Sequence, residues 1–160
     1  MEVLTMFAYA RDFFNLYVQA GSLDASADLL AELSGHENSR IRLRVAENPK
    51  TQAEVLAQLS EDPNADVRIA VALNPRTPAA VLARLSADLD PTVRLGIASE
   101  IDTAREILKA LSCDENPYVA NEALKSLLLL ERSQNVRHMD TFSRRSKRSS
   151  KRAQNQFKRA

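Results

Sequence analysis

Residues 59–82 read LSEDPNADVRIAVALNPRTPAAVL, which is two short apolar stretches separated by Asn-Pro and Thr-Pro. The first stretch, Asp66–Leu73, contains no glycine or proline and predicts a short helix. Asn74-Pro75 ends that helix, because proline disfavours the helical conformation in the residue before it. The second stretch, after Thr77-Pro78, predicts another short helix, with Pro78 at its first position. The segment therefore indicates a unit of two helices joined by a tight break.

The unit repeats with a period of 26 residues. Leu-Ser pairs begin at Leu33, Leu59, Leu85 and Leu111. Other columns keep the same spacing: Leu30, Leu56, Leu82 and Leu108; Ile41, Val67, Val93 and Val119; Arg42, Arg68 and Arg94; Ala46, Ala72 and Ala98; Thr51, Thr77 and Thr103. One such unit cannot bury its apolar face alone, so successive units must stack. The sequence predicts an all-α fold, a short α-solenoid of about four to five two-helix repeats of 26 residues.

Details of the repeat give two local predictions. Thr51-Gln-Ala-Glu54 and Thr103-Ala-Arg-Glu106 fit the capping box, in which the threonine side chain caps the second helix of the unit. The alanine column that includes Ala72 predicts positions where adjacent helices approach closely.

The two ends of the repeat array differ from its middle. Residues 3–20 predict a longer, more aromatic helix that closes the open end of the stack, and residues 117–131 predict a last helix. We expect a helical repeat domain over 1–131, in which 1–32 are the N-terminal cap and a partial repeat and 33–131 are the repeats and the terminal helix. Residues 132–160 then form a separate tail.

Charge is divided unevenly between these two parts. Residues 1–131 hold 12 Lys/Arg and 20 Asp/Glu, a net of −8, whereas residues 132–160 hold 10 Lys/Arg and one acid, a net of +9. The tail has few apolar residues and is predicted to be disordered. Its basic residues, which are candidates for binding a polyanion or a protein partner, are Arg144, Arg145, Lys147, Arg148, Lys151, Arg152, Lys158 and Arg159. Nucleic acid, anionic lipid, an acidic protein and the acidic body of this chain itself are all open as its target.

Catalytic signals are missing from the sequence. The only two histidines, His36 and His138, lie far apart, and the acidic residues are scattered. We expect no catalytic, metal-binding or cofactor-binding residue and no enzymatic activity. The single cysteine, Cys113, excludes a disulfide within the chain and is typical of a reducing compartment, so a cytoplasmic location is expected.

The stretch quoted first resembles the leucine-rich repeat variant family in its Asp-Pro, Val-Arg, Asn-Pro and Thr-Pro pairs, and resembles HEAT repeats more distantly. The resemblance covers about residues 22–125. It implies a right-handed solenoid of short helices, some of them 3₁₀, and no particular activity. A family member carries an iron–sulfur cluster on a cysteine-rich N-terminal segment, but residues 1–32 contain no cysteine, so no cofactor is carried over. The 26-residue period is slightly long for the family and favours fully α-helical pairs.

The arginine column Arg42, Arg68 and Arg94 has two interpretations. It can form a basic stripe that binds a partner. Alternatively, it can form a structural ladder with Asp62, Asp88 and Asp114, which recur at the same period. The function that we expect is a non-catalytic scaffold or adaptor that binds another protein on the solenoid surface. The alternative is a nucleic-acid-binding protein anchored by the basic tail.

Overall fold

The computed structural model of the chain describes residues 2–100 and 103–133, with side chains from residue 11 onward. Every regular element in these ranges is an α-helix. The helices are α1 (Glu2–Ala20), α2 (Ala27–Leu33), α3 (Ser39–Glu47), α4 (Ala53–Leu59), α5 (Ala65–Leu73), α6 (Ala79–Leu85), α7 (Pro91–Ser99), α8 (Arg105–Leu111) and α9 (117–133). The predicted all-α repeat solenoid is confirmed, and the short second helix of each unit is α-helical rather than 3₁₀.

The helices form two rows. α1, α3, α5, α7 and α9 form the first row, and α5 packs along both of its row neighbours, α3 and α7. α2, α4, α6 and α8 form the second row and pack mainly against first-row helices. Three complete pairs, α3/α4, α5/α6 and α7/α8, lie between the α1/α2 pair and α9. The array thus contains four pairs and a final single helix within the described residues.

The core lies between the two rows and is built from the predicted columns. The first row contributes Ile41, Val67, Val93 and Val119, all at most 1% exposed. The second row contributes the leucines of the Leu-Ser pairs, Leu33, Leu59, Leu85 and Leu111, which are also buried. Each buried Val or Leu contributes about 1.5–3 kcal/mol relative to an exposed one. Because these residues of successive units belong to one continuous core cluster, the stacking of units and the folding of each unit depend on the same side chains.

The turns that start the first-row helices contain N-caps. The side chains of Asn38, Asn64 and Asp90 accept hydrogen bonds from the backbone N–H two residues later, at the beginnings of α3, α5 and α7. Each of these helices then ends at an extended residue, Asn48, Asn74 or Glu100. The predicted stop at Asn74-Pro75 is confirmed, and Pro91 stands at the first position of α7.

The predicted capping boxes are wrong. The N-caps of α4 and α8 are Gln52 and Ala104, and neither caps with its side chain. The threonine before each of them is buried, and its hydroxyl donates backwards: Thr51 Oγ1 to the Val45 carbonyl at 2.5 Å and Thr103 Oγ1 to the Ile97 carbonyl at 3.0 Å. Each of these carbonyls also accepts a backbone N–H, from Asn48 or Glu100, so the hydroxyl is an additional donor. The buried hydroxyl itself needs an acceptor, because leaving it unpaired in the interior is costly. This requirement outweighs the exposed cap.

Pro78 also differs from its predicted role. It stands at the N-cap of α6, one residue before the helix, rather than at the first helical position. Thr77, like Thr51, donates its hydroxyl to the end of the preceding first-row helix, at the Val71 carbonyl. The recurring threonine of the unit therefore closes the first helix instead of opening the second.

The alanine column is only partly as predicted. Ala46 and Ala98 are fully buried, but Ala72 is half-buried. The three positions differ in the residue that follows each alanine by 28 positions: Asn74 donates to the Ala46 carbonyl, whereas the residue equivalent to it for Ala72 is Glu100, which is exposed. A close helix contact is therefore present at two of the three alanines.

Both ends of the array carry long helices. α1 has 19 residues and α9 runs from 117 to 133, against nine residues for α3, α5 and α7. These match the predicted end helices, and α9 extends two residues past the expected end at 131. None of the helices within residues 2–100 and 103–133 combines the length and the apolar character needed to cross a bilayer.

Candidate protein-interaction surface

The predicted arginine column forms a ladder with aspartates. Each guanidinium makes a two-point hydrogen bond with the carboxylate twenty residues later: Arg42 with Asp62 at 2.6 and 2.9 Å, Arg68 with Asp88 at 2.8 and 2.9 Å, and Arg94 with Asp114 at 2.8 and 2.9 Å. The Nη1 atom of each arginine also donates to the backbone carbonyl six residues earlier, at His36, Asp62 and Asp88. Every rung thus joins two consecutive turns, as the ladder interpretation requires.

The ladder shifts the ionisation of its members. The hydrogen bond with Asp114 raises the pKa of Arg94, and that with Asp88 raises the pKa of Arg68. The hydrogen bond from Arg94 lowers the pKa of Asp114. Burial alone would raise the pKa of Asp88, but the hydrogen bonds from Arg68 and from the Asp90 backbone outweigh it and hold the pKa below its ordinary value. The carboxylates therefore stay ionised, and their charge is compensated inside the molecule.

His36 shows how the first turn replaces an aspartate. In the later turns Asp62, Asp88 and Asp114 each accept a hydrogen bond from the backbone N–H two residues on. His36 occupies the same position and accepts from the Asn38 N–H through Nδ1 at 3.0 Å. The residue twenty positions before His36 is Leu16, not arginine, so no cation is present there to favour a carboxylate. His36 therefore takes the structural place of the aspartate in the first turn.

A second ladder, which the sequence did not reveal, is made of asparagines. Asn48 Nδ2 donates to the carbonyls of Ala20 and Ser22 at 2.8 and 2.9 Å. Asn74 Nδ2 repeats the pattern one unit later, to Ala46 and Asn48 at 2.7 and 2.9 Å. Both side chains are buried. Because they hold the breaks after α3 and α5, these contacts fix how far each of these units lies from the one before it.

The exposed side of the first row forms the candidate surface, which we call the first-row face. Its open part between α3 and α5 is a groove of about 420 Å³, lined by Leu43, Ile69, Ala70 and Leu73, with Glu47 and Asp66 at its border. Leu73 is 44% exposed in spite of its apolar side chain. The arginine ladder does not line this groove.

Between α5 and α7 the face is closed. Ile69 lies against Gly96, where an added Cβ would be 3.3 Å from Ile69 Cγ2. The absence of a side chain at position 96 therefore allows α5 and α7 to pack closely. Gly96 and Ala70 occupy equivalent positions, so small residues line the middle of the face.

A second groove, the α7–α9 groove, opens beyond this closure. It measures about 510 Å³ and is lined by Leu95, Tyr118, Leu124 and Leu128, with Glu122 and Lys125 among its polar residues. Leu95 is equivalent in the repeat to Leu43 and Ile69, so both grooves lie on the same face. Tyr118 and Leu128 are 76% and 66% exposed. Apolar side chains thus recur along the whole first-row face.

Arg44 closes the face near its N-terminal end. Its guanidinium lies over the ring of Tyr17, 4.9 Å from the centroid, and Nη1 donates to Glu47 at 2.8 Å. Any side chain at Gly21 would overlap the guanidinium. This cluster could not be predicted from the sequence beyond the aromatic character of α1, because its members come from different parts of the chain.

The other residues named from the sequence take no part in these clusters. Cys113 is an exposed thiol in the turn after α8. No grouping of three or more His, Cys, Asp or Glu that could hold a metal ion occurs among the residues the structure describes. The eight basic tail residues, from Arg144 to Arg159, lie outside the described residues, as does His138.

Stacked two-helix units joined by regular arginine–aspartate and asparagine–carbonyl ladders define a helical repeat protein of the α-solenoid class. The family model of the leucine rich repeat variant matches residues 65–90. That match begins at the first residue of α5 and ends at Asp90, the N-cap of α7, and so spans one full period of 26 residues. The resemblance is confirmed on this unit. No curated protein and no solved structure matches the chain.

Proposed function

We propose that this chain is a non-catalytic scaffold or adaptor that binds another protein through its first-row face. Leucine rich repeat variants are commonly protein-interaction repeats. The single observation that carries the proposal is the row of partly exposed apolar side chains on that face, Leu43, Ile69, Leu73, Leu95 and Tyr118. Contiguous apolar surface on a folded protein marks an interaction site more often than isolated apolar residues do.

The arginine column supports this choice of face. Its three guanidiniums are each held by a carboxylate and a backbone carbonyl, which leaves few donors for an outside anion. Releasing one of them to a ligand would leave a partly buried aspartate without its cation, which is costly. Binding to the apolar side chains of the first-row face therefore costs a partner less free energy than displacing an arginine from the ladder.

The experiment is quantitative affinity capture from the native host with three forms of the full chain. They are the wild type, the face variant Leu73→Asp/Tyr118→Ser, and the control Leu89→Ser, which changes a leucine that is 99% exposed in a turn away from the grooves. We expect proteins that are retained by the wild type and the control, in the presence of nuclease, to be lost with the face variant. Equal retention by all three forms would contradict the proposal.

A second candidate function rests on the tail. Residues 141–160 hold eight Lys/Arg and no acid, a composition that attracts polyanions such as nucleic acid. If about five cations meet phosphates of duplex DNA, log affinity should fall with log salt at a slope of about −4 to −5. Replacing Arg144, Arg145, Lys147 and Arg148 with glutamine should flatten the slope. No binding to DNA, RNA or anionic vesicles at low salt would dismiss this function.

We further propose a cytoplasmic location. Its support is the single cysteine, Cys113, a composition typical of a reducing compartment.

A further inference from the structure

The α7–α9 groove lies beside the point at which the C-terminal part of the chain begins. Leu128 lines the groove, and residue 133, the last residue of α9 that the structure describes, lies about 7.5 Å farther along the helix. Residues 134–160 follow. A segment of this length starts close to an open apolar groove of its own chain.

The two parts carry opposite charge. The body over 1–131 has a net charge of −8, and residues 132–160 have +9. On the first-row face, Asp66 is exposed and makes no ion pair within the described residues. Glu47, the second acid of the α3–α5 groove, is paired with Arg44 but its side chain is 44% exposed. A basic segment that crosses the face from α9 toward α3 therefore meets carboxylates at its far end.

The spacing of residues in the segment matches this path. Phe142 is the first Phe, Tyr or Trp after residue 133 and follows it by nine positions, a reach of up to about 30 Å if the chain is extended. Lys147 and Arg148 follow Phe142 by five and six residues, which is about 16–20 Å of extended chain. Two helix spacings, the separation of the two grooves, are also about 16–20 Å. With Phe142 in the α7–α9 groove, these two cations can reach Asp66 and Glu47.

We propose that in the free protein residues 141–152 of the same chain occupy the first-row face, with Phe142 in the α7–α9 groove and Lys147 and Arg148 opposite Asp66 and Glu47. A short tether gives an effective concentration in the millimolar range, so even a contact that is weak between separate molecules is populated. The inference uses the face named in the proposed function, where the segment would compete with an outside partner.

The test uses the full chain, which contains no tryptophan, so Phe142→Trp provides a single fluorescent reporter. Acrylamide quenching of Trp fluorescence is compared with that of a synthetic 141–160 peptide carrying the same substitution. If the effective concentration is near the dissociation constant, about half of the molecules are docked and the quenching constant falls about twofold. The fall should not depend on protein concentration.

Matched variants locate the contact. Leu128→Ser removes an exposed groove side chain and should return the quenching constant to that of the peptide, whereas Leu89→Ser, an exposed leucine outside the grooves, should leave it low. At low salt, Asp66→Asn should raise the quenching constant part of the way toward the value of the peptide.

Three results would overturn the inference. Quenching equal to that of the peptide in the chain that carries Phe142→Trp alone shows that the segment is not docked. Protection that disappears on dilution shows that a second copy supplies it. Protection that survives Leu128→Ser shows that the contact lies elsewhere on the acidic body. None of these measurements needs an outside partner, so the proposed function can fail or hold independently of them.

Discussion

The guanidinium of Arg68 forms a two-point hydrogen bond with the carboxylate of Asp88, from Nε to Oδ2 at 2.8 Å and from Nη2 to Oδ1 at 2.9 Å. Its remaining nitrogen, Nη1, donates to the Asp62 carbonyl at 2.7 Å. One side chain of α5 therefore connects the turn before its own unit with the turn after it. Since the same geometry recurs at Arg42 and Arg94, the ladder stabilises the stacking of units.

Arg68→Ala is expected to lower the free energy of unfolding by about 3 kcal/mol, because it leaves a largely buried carboxylate without its cation. The matched control is Arg84→Ala, which also breaks an ion pair between units, with Glu61 at 2.8 Å, but one whose side chains are 51% and 71% exposed. The control should cost less than about 1 kcal/mol. Urea denaturation of both variants measures the difference. Equal effects would mean that the ladder adds no more than a surface pair.

Acid should destabilise the protein through the ladder aspartates. The pKa values of Asp62, Asp88 and Asp114 are lower in the folded state than the ordinary value of about 3.9. The unfolded chain therefore binds more protons at low pH, and the stability that these groups contribute is complete above their unfolded pKa and is lost as pH falls through the folded pKa. We expect the free energy of unfolding to be level above about pH 5 and to fall below about pH 4.

Asp88→Asn tests this assignment. It should reduce stability at neutral pH and make the fall between pH 5 and pH 3 shallower, because one of the three lowered pKa values is removed. Asp66→Asn, at an exposed position outside the ladder, serves as the control and should leave the slope unchanged. Denaturation at a series of pH values gives both slopes. An unchanged slope in Asp88→Asn would place the acid sensitivity in other groups.

Asn74→Ala should destabilise the protein by about 2–4 kcal/mol, because the carbonyls of Ala46 and Asn48 both lose a buried donor. Asn74→Asp keeps the shape but replaces the donating amide with an acceptor, so it should be at least as damaging. Asn121→Ala, an exposed position on α9, should stay within about 0.5 kcal/mol of the wild type. Thermal and urea unfolding provide the comparison. A mild effect of Asn74→Asp would show that the donated hydrogen bonds are unimportant.

Ala98→Leu should cost about 1–3 kcal/mol, because three additional carbon atoms must fit at a fully buried position. Ala72→Leu should cost less, since Ala72 is half-buried and its new side chain can extend toward solvent. The melting temperatures of the two variants measure the order. The reverse order would mean that the exposed fraction of an alanine in this column does not indicate how closely the adjacent helices pack.

Much of the fold could be predicted from the sequence, because the same local sequence pattern occurs in each repeat. The Asn-Pro break, the apolar columns and the 26-residue period gave the two-helix unit and its stacking, and they located the first helix of the unit to within one residue of Ala65–Leu73. The pairing of Arg68 with an aspartate column was one of two interpretations, since both residue types recur at the same spacing. The apolar first-row face was not predicted, because the exposure of Leu43, Ile69 and Leu95 depends on how neighbouring helices are placed.

The sequence by itself determined the helical unit, its period and the candidate partners of the ladder, since these depend on local conformational preferences and on patterns within one unit. Only the tertiary structure decided that Thr51 bonds backwards to Val45, that Asn74 holds a carbonyl 28 residues earlier, and that Gly96 lets α5 approach α7. Each of these contacts joins groups whose separation is set by the packing of one helix or unit against another. A hydroxyl or an amide has several possible partners in the sequence, and the packing decides which of them lies within hydrogen-bond distance of the buried group, which would be costly to leave unpaired.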